Sequence, residues 1–248
     1  MKDDVYIKLN KLSKTYYHEG NDLNVFEDLD LAIERGSIVS ILGKSGCGKT
    51  TLLRCIGGFE EITGGTVMID DKEVTKPRNN AIMIFQNPDQ LFSWQTIKGN
   101  IITSIKVVKN IKDKAVLSEI ADTILREVEL YEFKNYYPNR LSGGMKQRAA
   151  LARALSLDAN VLFMDEPFSS LDSFTRRNLQ DLSLSICKKY NITVIFVTHS
   201  IEEALKISDK IVVMADQRPC KGLNVYELNT GNKDIVRQEV ERYFNVSS

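Results

Sequence analysis

The 248-residue sequence predicts an α/β fold in which most strands of the sheet are parallel. Short β-branched runs alternate with segments of helical spacing, as they do when helices connect parallel strands. A glycine-rich loop follows one of these runs, and a long stretch in the middle of the chain has helical spacing alone. We therefore expect a sheet flanked by helices and interrupted by a helical insertion.

The composition is that of a globular chain. Apolar residues make up 43% of it, which is enough for a substantial core. Lys and Arg total 33, as do Asp and Glu, so the net charge gives no reason to expect a nucleic-acid partner. The sequence shows neither a secretory leader nor an apolar run of the roughly 18 residues that span a bilayer. We expect a cytosolic chain with four reduced cysteines, because their spacing is not that of a metal site.

Seven short apolar runs are predicted strands. They are Tyr6–Leu9, Ile38–Leu42, Thr66–Ile69, Ala81–Phe85, Val161–Met164, Thr193–Val197 and Ile211–Met214. The early strands need not all be parallel, because the turn signals Gly64-Gly65 and Asp70-Asp71 flank a short strand. We therefore expect a small antiparallel β subdomain before about residue 75.

The middle of the chain lacks strand signals, and its apolar residues recur at helical spacing, as in Leu117–Val128. This pattern predicts an α-helical subdomain over residues 88–158. Strands resume after it, so residues 1–87 and 159–232 are expected to form one core. Apolar residues near the end of the chain predict a C-terminal helix over 233–248.

Residues 43–50 match the phosphate-loop pattern G-x-x-x-x-G-K-[ST], between the strand Ile38–Leu42 and a helix. Glycines let backbone amides surround phosphate oxygens without a Cβ atom in the way. Lys49 is expected to reach the β- and γ-phosphates of ATP, and the Thr50 hydroxyl to bind Mg²⁺. A glycine-rich turn that binds nothing is the alternative, and the strand-loop-helix context disfavours it. The predicted ATP-binding residues here are Gly43, Lys44, Ser45, Gly46, Cys47, Gly48, Lys49 and Thr50. The predicted core is therefore that of a P-loop NTPase.

Two acidic residues, Asp165 and Glu166, follow the apolar run Val161–Met164. Ligands of parallel sheets gather at the carboxyl ends of the strands, so these carboxylates are candidates for metal binding and catalysis. The alternative is an acidic pair at the start of a helix, with Pro167 in its first turn.

Ser142, Gly143 and Gly144 open a segment whose apolar residues lie on one helical face. The free N–H groups at such a helix N-terminus attract anions. Together with the phosphate loop, this segment resembles the signature sequence of ATP-binding cassette (ABC) ATPases. The resemblance covers nearly the whole chain, with the motifs in the family's order.

The resemblance implies roles for several residues of the site. Asp165 would hold Mg²⁺ through water, and Glu166 would polarise the water that attacks ATP. Gln86 would contact Mg²⁺ or its water, His199 would contact the γ-phosphate, and Thr51 would lie near the α-phosphate. Without the resemblance, a lone glutamine is more often a surface residue and a lone histidine at a strand end more often structural.

The resemblance also places a stacking aromatic residue where Lys14-Thr15-Tyr16-Tyr17 stands. We favour Tyr16 over Tyr17 for adenine, while packing at the strand edge is the competing interpretation. Ser200 replaces the Asp that commonly follows the histidine in this family. The run Ser169–Asp172 resembles the D-loop that crosses the subunit boundary, although alone it is merely a helix N-cap.

In this family the signature of one copy closes over the ATP held by another. The resemblance therefore implies a head-to-tail homodimer that ATP binding closes and hydrolysis releases. It further implies an integral membrane permease, a solute-binding protein and a position at the cytoplasmic face of the cell membrane. The apolar residues Leu91, Phe92, Trp94 and Ile97 could line the groove that receives the permease, or form an ordinary packed loop.

Within the family, Met145 after Ser-Gly-Gly and the Arg218-Pro219 step resemble nitrate, sulfonate and taurine importers. The run from Gln86 to Phe92 looks more like importers of vitamins and metals that use an energy-coupling module. An ABC ATPase without a transport role, acting as a nucleotide-dependent switch in another complex, is a third possibility. We expect an importer subunit, on resemblance rather than on physical necessity.

Overall fold

The computed structural model describes residues 5–18, 20–85 and 90–246. The chain divides into two compact units. Unit 1 comprises Met1–Arg78 and Asn191–Ser248, and unit 2 comprises Asn79–Tyr190. The strands are β1 (Val5–Tyr16), β2 (Leu23–Glu34), β3 (Ile38–Leu42), β4 (Gly64–Ile69), β5 (Lys72–Glu73), β6 (Ala81–Ile84), β7 (Val161–Asp165), β8 (Thr193–Thr198), β9 (Lys210–Met214) and β10 (Leu223–Glu227). The helices are α1 (Lys49–Gly57), α2 (Ile97–Lys109), α3 (Lys114–Glu127), α4 (Gly143–Ser156), α5 (Ser173–Lys189), α6 (Ile201–Ile207) and α7 (Lys233–Val246), with 3-10 turns at Tyr131–Phe133 and Pro138–Arg140.

Unit 1 contains the predicted antiparallel sheet, with strand order β2-β1-β4-β5. Leu9 of β1 lies opposite Leu31 on one side and Val67 on the other, and all three are buried. Strand β2 was not predicted, because its outward positions carry Glu27, Asp28 and Asp30, residues that are depleted in strands. Its inward positions are nevertheless apolar and buried, which is the period-2 pattern of a strand with one face exposed to solvent.

The second set of strands in unit 1 centres on β3, whose five residues are all buried. Strands β8 and β9 pair with β3 in parallel on its two sides, and β10 adds to β9 in antiparallel. Helix α7 packs Val236 and Val240 into the core beside Leu42 and Val213. Helix α7 is therefore a packing element of this unit, and the phosphate loop begins where the buried strand β3 ends.

Unit 2 contains the parallel pair β6 and β7 together with helices α2 to α5. Helices α2, α3 and α4 contact one another and carry the apolar residues that the helical spacing predicted. All seven predicted strands are present in the two units, six of them with bounds within two residues of those expected. The exception is β1, which continues to Tyr16 beyond the predicted end at Leu9. The α/β class with a mostly parallel arrangement, an antiparallel subsheet and inserted helices is confirmed.

None of the helices within the described ranges is long and apolar enough to cross a bilayer.

Candidate nucleotide site

The phosphate loop joins β3 to α1 and requires glycine at two positions. Gly46 and Gly48 have φ angles of 80° and 105°, in the left-handed region that residues with a Cβ atom rarely adopt. Gly48 is the N-cap of α1, and no side chain within the described ranges caps this helix. The first turn of α1, which contains Thr50 and Thr51, therefore presents backbone N–H groups that can donate hydrogen bonds to an anion.

The loop wraps too tightly for side chains at its glycines. A Cβ atom on Gly43 would lie 2.5 Å from the Cys47 Sγ, and one on Gly48 would lie 2.5 Å from Cγ1 of Val25. Both contacts involve buried side chains that cannot move aside freely. These close approaches explain why the pattern needs glycine at positions 43 and 48.

Lys49 is buried inside the loop that it follows. Its Nζ donates to the carbonyl oxygens of Gly43 and Lys44, each at 2.8 Å. These acceptors hold the ammonium within the concave side of the loop, where the amides of a phosphate loop also converge. The ammonium therefore lies inside the loop, and its contact with the terminal phosphates stays a prediction.

Two residues far along the chain brace the loop from outside. Lys44 forms an ion pair with Asp216, with Nζ and Oδ2 2.8 Å apart, and the Arg218 guanidinium donates to the Gly46 carbonyl. Neither Asp216 nor Arg218 was predicted from the sequence to contact the site. The Arg218-Pro219 step was noted only as a subfamily marker, and nothing in its pattern reveals a contact across more than 170 positions.

Cys47 occupies the interior of the loop and is buried. Burial raises the pKa of its thiol, and the nearby Lys49 charge only partly offsets this effect. At neutral pH Cys47 is therefore a neutral packing residue of the loop.

Tyr16 lies at the end of β1 with Lys14 beneath its ring. The Lys14 Nζ is 4.4 Å from the ring centroid, and the same ammonium bonds Glu60 Oε1 at 2.9 Å and the Glu61 carbonyl at 2.7 Å. Tyr17, the less favoured alternative, is 71% exposed. One face of Tyr16 is therefore supported by a fixed cation.

His199 is exposed in a turn that its neighbours fix. The Thr198 hydroxyl donates to the Glu203 carboxylate at 2.6 Å and accepts from the Ser200 N–H at 3.1 Å. Ser200 caps α6, because its Oγ accepts from the Glu203 N–H at 3.2 Å. The serine that stands where the family commonly has Asp is therefore the N-cap of α6.

In unit 2, Asp165 ends β7 and is buried, and Glu166 follows it with a φ of 45°. A non-glycine residue in this region is uncommon and is held there by its surroundings. The Glu166 carbonyl accepts from the N–H of Ser169 at 3.2 Å and from its Oγ at 3.0 Å. The turn therefore fixes the position of the carboxylate-bearing residue directly after the strand.

Ser142 is the N-cap of α4, and its Oγ accepts from the Met145 N–H at 3.3 Å. Ser142 and Gly143 are exposed, whereas Gly144 is buried against Thr175 at a place where a Cβ would lie 2.5 Å from Thr175 Cγ2. The predicted anion-attracting helix N-terminus is therefore open to an external ligand at its first two residues.

The candidate residues are distributed over both units. Unit 1 holds Tyr16, residues 43–51 and His199, while unit 2 holds Asp165, Glu166 and residues 142–144. Gln86 lies outside the described residues.

Comparison with known proteins agrees with these features. A family model described as ABC transporter matches residues 26–169. The chain is 40% identical over 209 residues to the aliphatic sulfonates import ATP-binding protein SsuB of Bacillus cereus, covering 84% of this chain and 81% of that protein. It is 35% identical over 211 residues to the nitrate import ATP-binding protein NrtD of Synechococcus elongatus, covering 85% and 77%.

Among solved structures, a dimeric post-hydrolysis state of the ATP-binding cassette MJ0796 bound to ADP and Pi superposes with a TM-score of 0.76. The two chains are 28% identical, and the match covers 90% of this chain and 99% of that one.

Proposed function

The chain belongs to the ABC transporter family, as an ATP-binding subunit that hydrolyses ATP, and we propose that it powers the import of a small anionic solute. The observation that carries this proposal is the kind of relative it matches. The sulfonate and nitrate subunits resemble it over about five sixths of its length. Both names specify import, and both solutes are small oxyanions.

The residues of the site suit ATP with Mg²⁺. The tight glycine loop leaves room for phosphate oxygens, and the Thr50 hydroxyl and Asp165 carboxylate are the oxygen ligands that Mg²⁺ prefers. When bound, Mg²⁺ would neutralise charge that develops on the phosphates. Gln86 is a third proposed ligand from the family pattern. Lys49 holds the β- and γ-phosphates, with Thr51 near the α-phosphate.

Hydrolysis requires an acceptor for a proton of the attacking water. We assign this role to Glu166, whose backbone is fixed by Ser169 directly after β7. His199 would contact the γ-phosphate from the turn that Thr198 and Ser200 fix. In a loose, metaphosphate-like transfer such donors and charges supply most of the catalysis.

A second copy of the chain would complete the site. Ser142 and Gly143 offer exposed N–H and O–H groups at the start of α4, and the solved relative with ADP and Pi is a dimer. The proposed dimer is head-to-tail, so that the signature of each copy contacts the ATP of the other. ATP then favours the closed dimer, and hydrolysis releases it.

The partner in the membrane would be an integral permease, whose conformational change is driven by the closing and release of the dimer. Of the four residues proposed to line its groove, Leu91 and Ile97 are buried core residues, which corrects that part of the sequence prediction. Phe92 is half-buried and Trp94 is 71% exposed, so these two remain as the proposed contact. The chain would work at the cytoplasmic face of the cell membrane, supplied with solute by a binding protein.

Two other functions stay as alternatives. An importer of the energy-coupling type fits the run Gln86–Phe92, and a non-transport switch fits the ATPase chemistry alone. The identities to sulfonate and nitrate importers favour the proposal over both.

Replacing Ser142 tests the composite site. Ser142→Arg should bind ATP as the natural chain does, because the phosphate loop is untouched, but turnover should fall on the order of 100-fold or more. Lys49→Ala should lose ATP binding itself. Steady-state hydrolysis and calorimetric ATP binding measure the two effects.

The control separates loss of a helix cap from loss of the signature. Asp113→Ala removes the side chain that caps α3, which accepts from Ala115 N–H at 2.7 Å, and should leave turnover unchanged. Normal hydrolysis by Ser142→Arg would refute the assignment of the signature to the site.

A further inference from the structure

We propose that Lys14 is a positioning residue for the base of the nucleotide, acting as a fixed cation behind the ring of Tyr16. This inference rests on the proposed function, because it assigns adenine to the opposite face of that ring. It gives a role to Lys14, a residue to which no role was assigned from the sequence.

The strand places the two side chains together. Lys14 and Tyr16 are two positions apart on β1, so they lie on the same face of the sheet. Lys14 is only 5% exposed, which is unusual for lysine unless a partner compensates its charge. The burial indicates a specific role for this ammonium rather than a solvated surface charge.

Three groups hold the ammonium in place. Its Nζ bonds Glu60 Oε1 at 2.9 Å and the Glu61 carbonyl at 2.7 Å, and lies 4.4 Å from the centroid of the Tyr16 ring. Glu60 and Glu61 follow α1, the helix that begins at Lys49. The Lys14 ammonium is therefore held by the segment that follows the phosphate loop and α1, within unit 1.

The cation decides which face of the ring is available. An ammonium within about 6 Å of the centroid is attracted to the ring face and occupies it. A base can then stack only on the other face, and the ring is less free to rotate when that base arrives. Because the Tyr16 ring then loses less conformational entropy when adenine binds, the affinity for ATP rises without any new contact to the ligand. A positive charge behind the ring also draws electron density away from the face that meets the purine.

A purely structural role makes a different prediction. If Lys14 only ties β1 to the turn at Glu60, its loss should weaken every ligand of the phosphate loop equally through loss of stability. A role through Tyr16 should weaken only ligands that carry a base. Inorganic tripolyphosphate provides the comparison, because it has the phosphates of ATP without adenine.

The experiment measures Kd for ATP and for tripolyphosphate, each with Mg²⁺, by calorimetry. Lys14→Met keeps the aliphatic stem and removes the charge, and should weaken ATP about three- to tenfold while leaving tripolyphosphate within a factor of two. In a Tyr16→Ala background the same substitution should have no further effect on ATP. Lys8→Met, an exposed lysine on the same strand, is the matched control and should change neither Kd.

Each other outcome overturns the proposal. Equal weakening of both ligands would show a structural role, and an unchanged ATP affinity would show no role. If Tyr17→Ala lost ATP affinity and Tyr16→Ala did not, adenine would stack on Tyr17, whose ring Lys14 does not support, and the proposal would fail. Failure of the natural chain to bind ATP at all would instead refute the proposed function.

Discussion

Cys47 shows how much of the nucleotide loop is decided by single residues. The thiol packs against Gly43, so closely that an added Cβ there would lie 2.5 Å from it. Burial raises the pKa of Cys47, with partial compensation from Lys49, and burial raises the pKa of Cys55 and Cys187 to about 12. Only the thiolate reacts with alkylating reagents, so raised pKa values protect all three.

We predict that iodoacetamide at pH 8 modifies Cys47 in the folded chain at least about tenfold more slowly than it modifies glutathione. The thiolate fraction grows as pH approaches the pKa, so the rate should rise with pH beyond 8. ATP should slow the reaction further, because phosphates cover the loop. Peptide mass spectrometry of timed samples measures the rate.

The urea-unfolded chain is the control, in which Cys47 should react like an ordinary thiol. A folded-state rate equal to that of glutathione would contradict the buried position of this side chain.

Some residues of the nucleotide site could be predicted from the sequence, and others could not. Ser142, Lys49 and Asp165 were proposed as site residues because each belongs to a short pattern with a physical purpose. Asp216 and Arg218 were not, because their contacts with the loop arise from folding and leave no local pattern. Spacing can reveal chemistry within a motif but not the support that distant segments give it.

At the scale of elements, the turn before α2 is organised by one buried side chain. The Asn100 Oδ1 accepts from the Phe92 N–H at 2.7 Å, and its Nδ2 donates to the carbonyls of Phe92 and Thr96 at 3.1 and 3.0 Å. The Trp94 ring lies 5.3 Å from that of Phe92 and is exposed. Asn100 therefore holds an aromatic pair at the surface, as a docking site would require.

We predict that Trp94→Ser reduces co-purification with a co-expressed candidate permease by about tenfold, as expected for loss of an aromatic anchor. Stability should change by less than about 0.5 kcal/mol, because the side chain is exposed. Affinity capture from detergent extract, together with thermal unfolding, measures both quantities.

Val107→Ser is the matched control, since it removes a similarly exposed apolar side chain from α2, the helix that follows this turn. Unchanged capture of the permease by Trp94→Ser would exclude this turn as the contact.

Elements differed in how far the sequence could predict them. Buried strands such as β3 and β8 were found almost to the residue, because continuous apolar runs are unambiguous. Strands β2, β5 and β10 were missed, since β2 and β10 each have a polar outward face and β5 has only two residues. Helix α4 begins directly after Ser142, where the helical spacing predicted a helix N-terminus.

At the scale of the whole molecule, the proposed chemistry depends on residues of both units and of a second copy. Lys49 and His199 belong to unit 1, while Glu166 and Ser142 belong to unit 2. The order of the motifs was enough to predict the family, because several separate motifs rarely occur in this order in an unrelated chain. In the proposed dimer, Ser142 of each copy would contact the ATP that the other copy holds.

The dimeric state of Glu166→Gln in ATP tests this claim most directly. The amide keeps the shape of the side chain but cannot accept the proton of water, so ATP should bind and remain intact. We predict a dimer by light scattering in ATP and Mg²⁺, and a monomer in ADP, whereas Glu119→Gln on an exposed face of α3 should not accumulate as a dimer. A Glu166→Gln chain that binds ATP and stays monomeric would contradict the ATP-driven dimer.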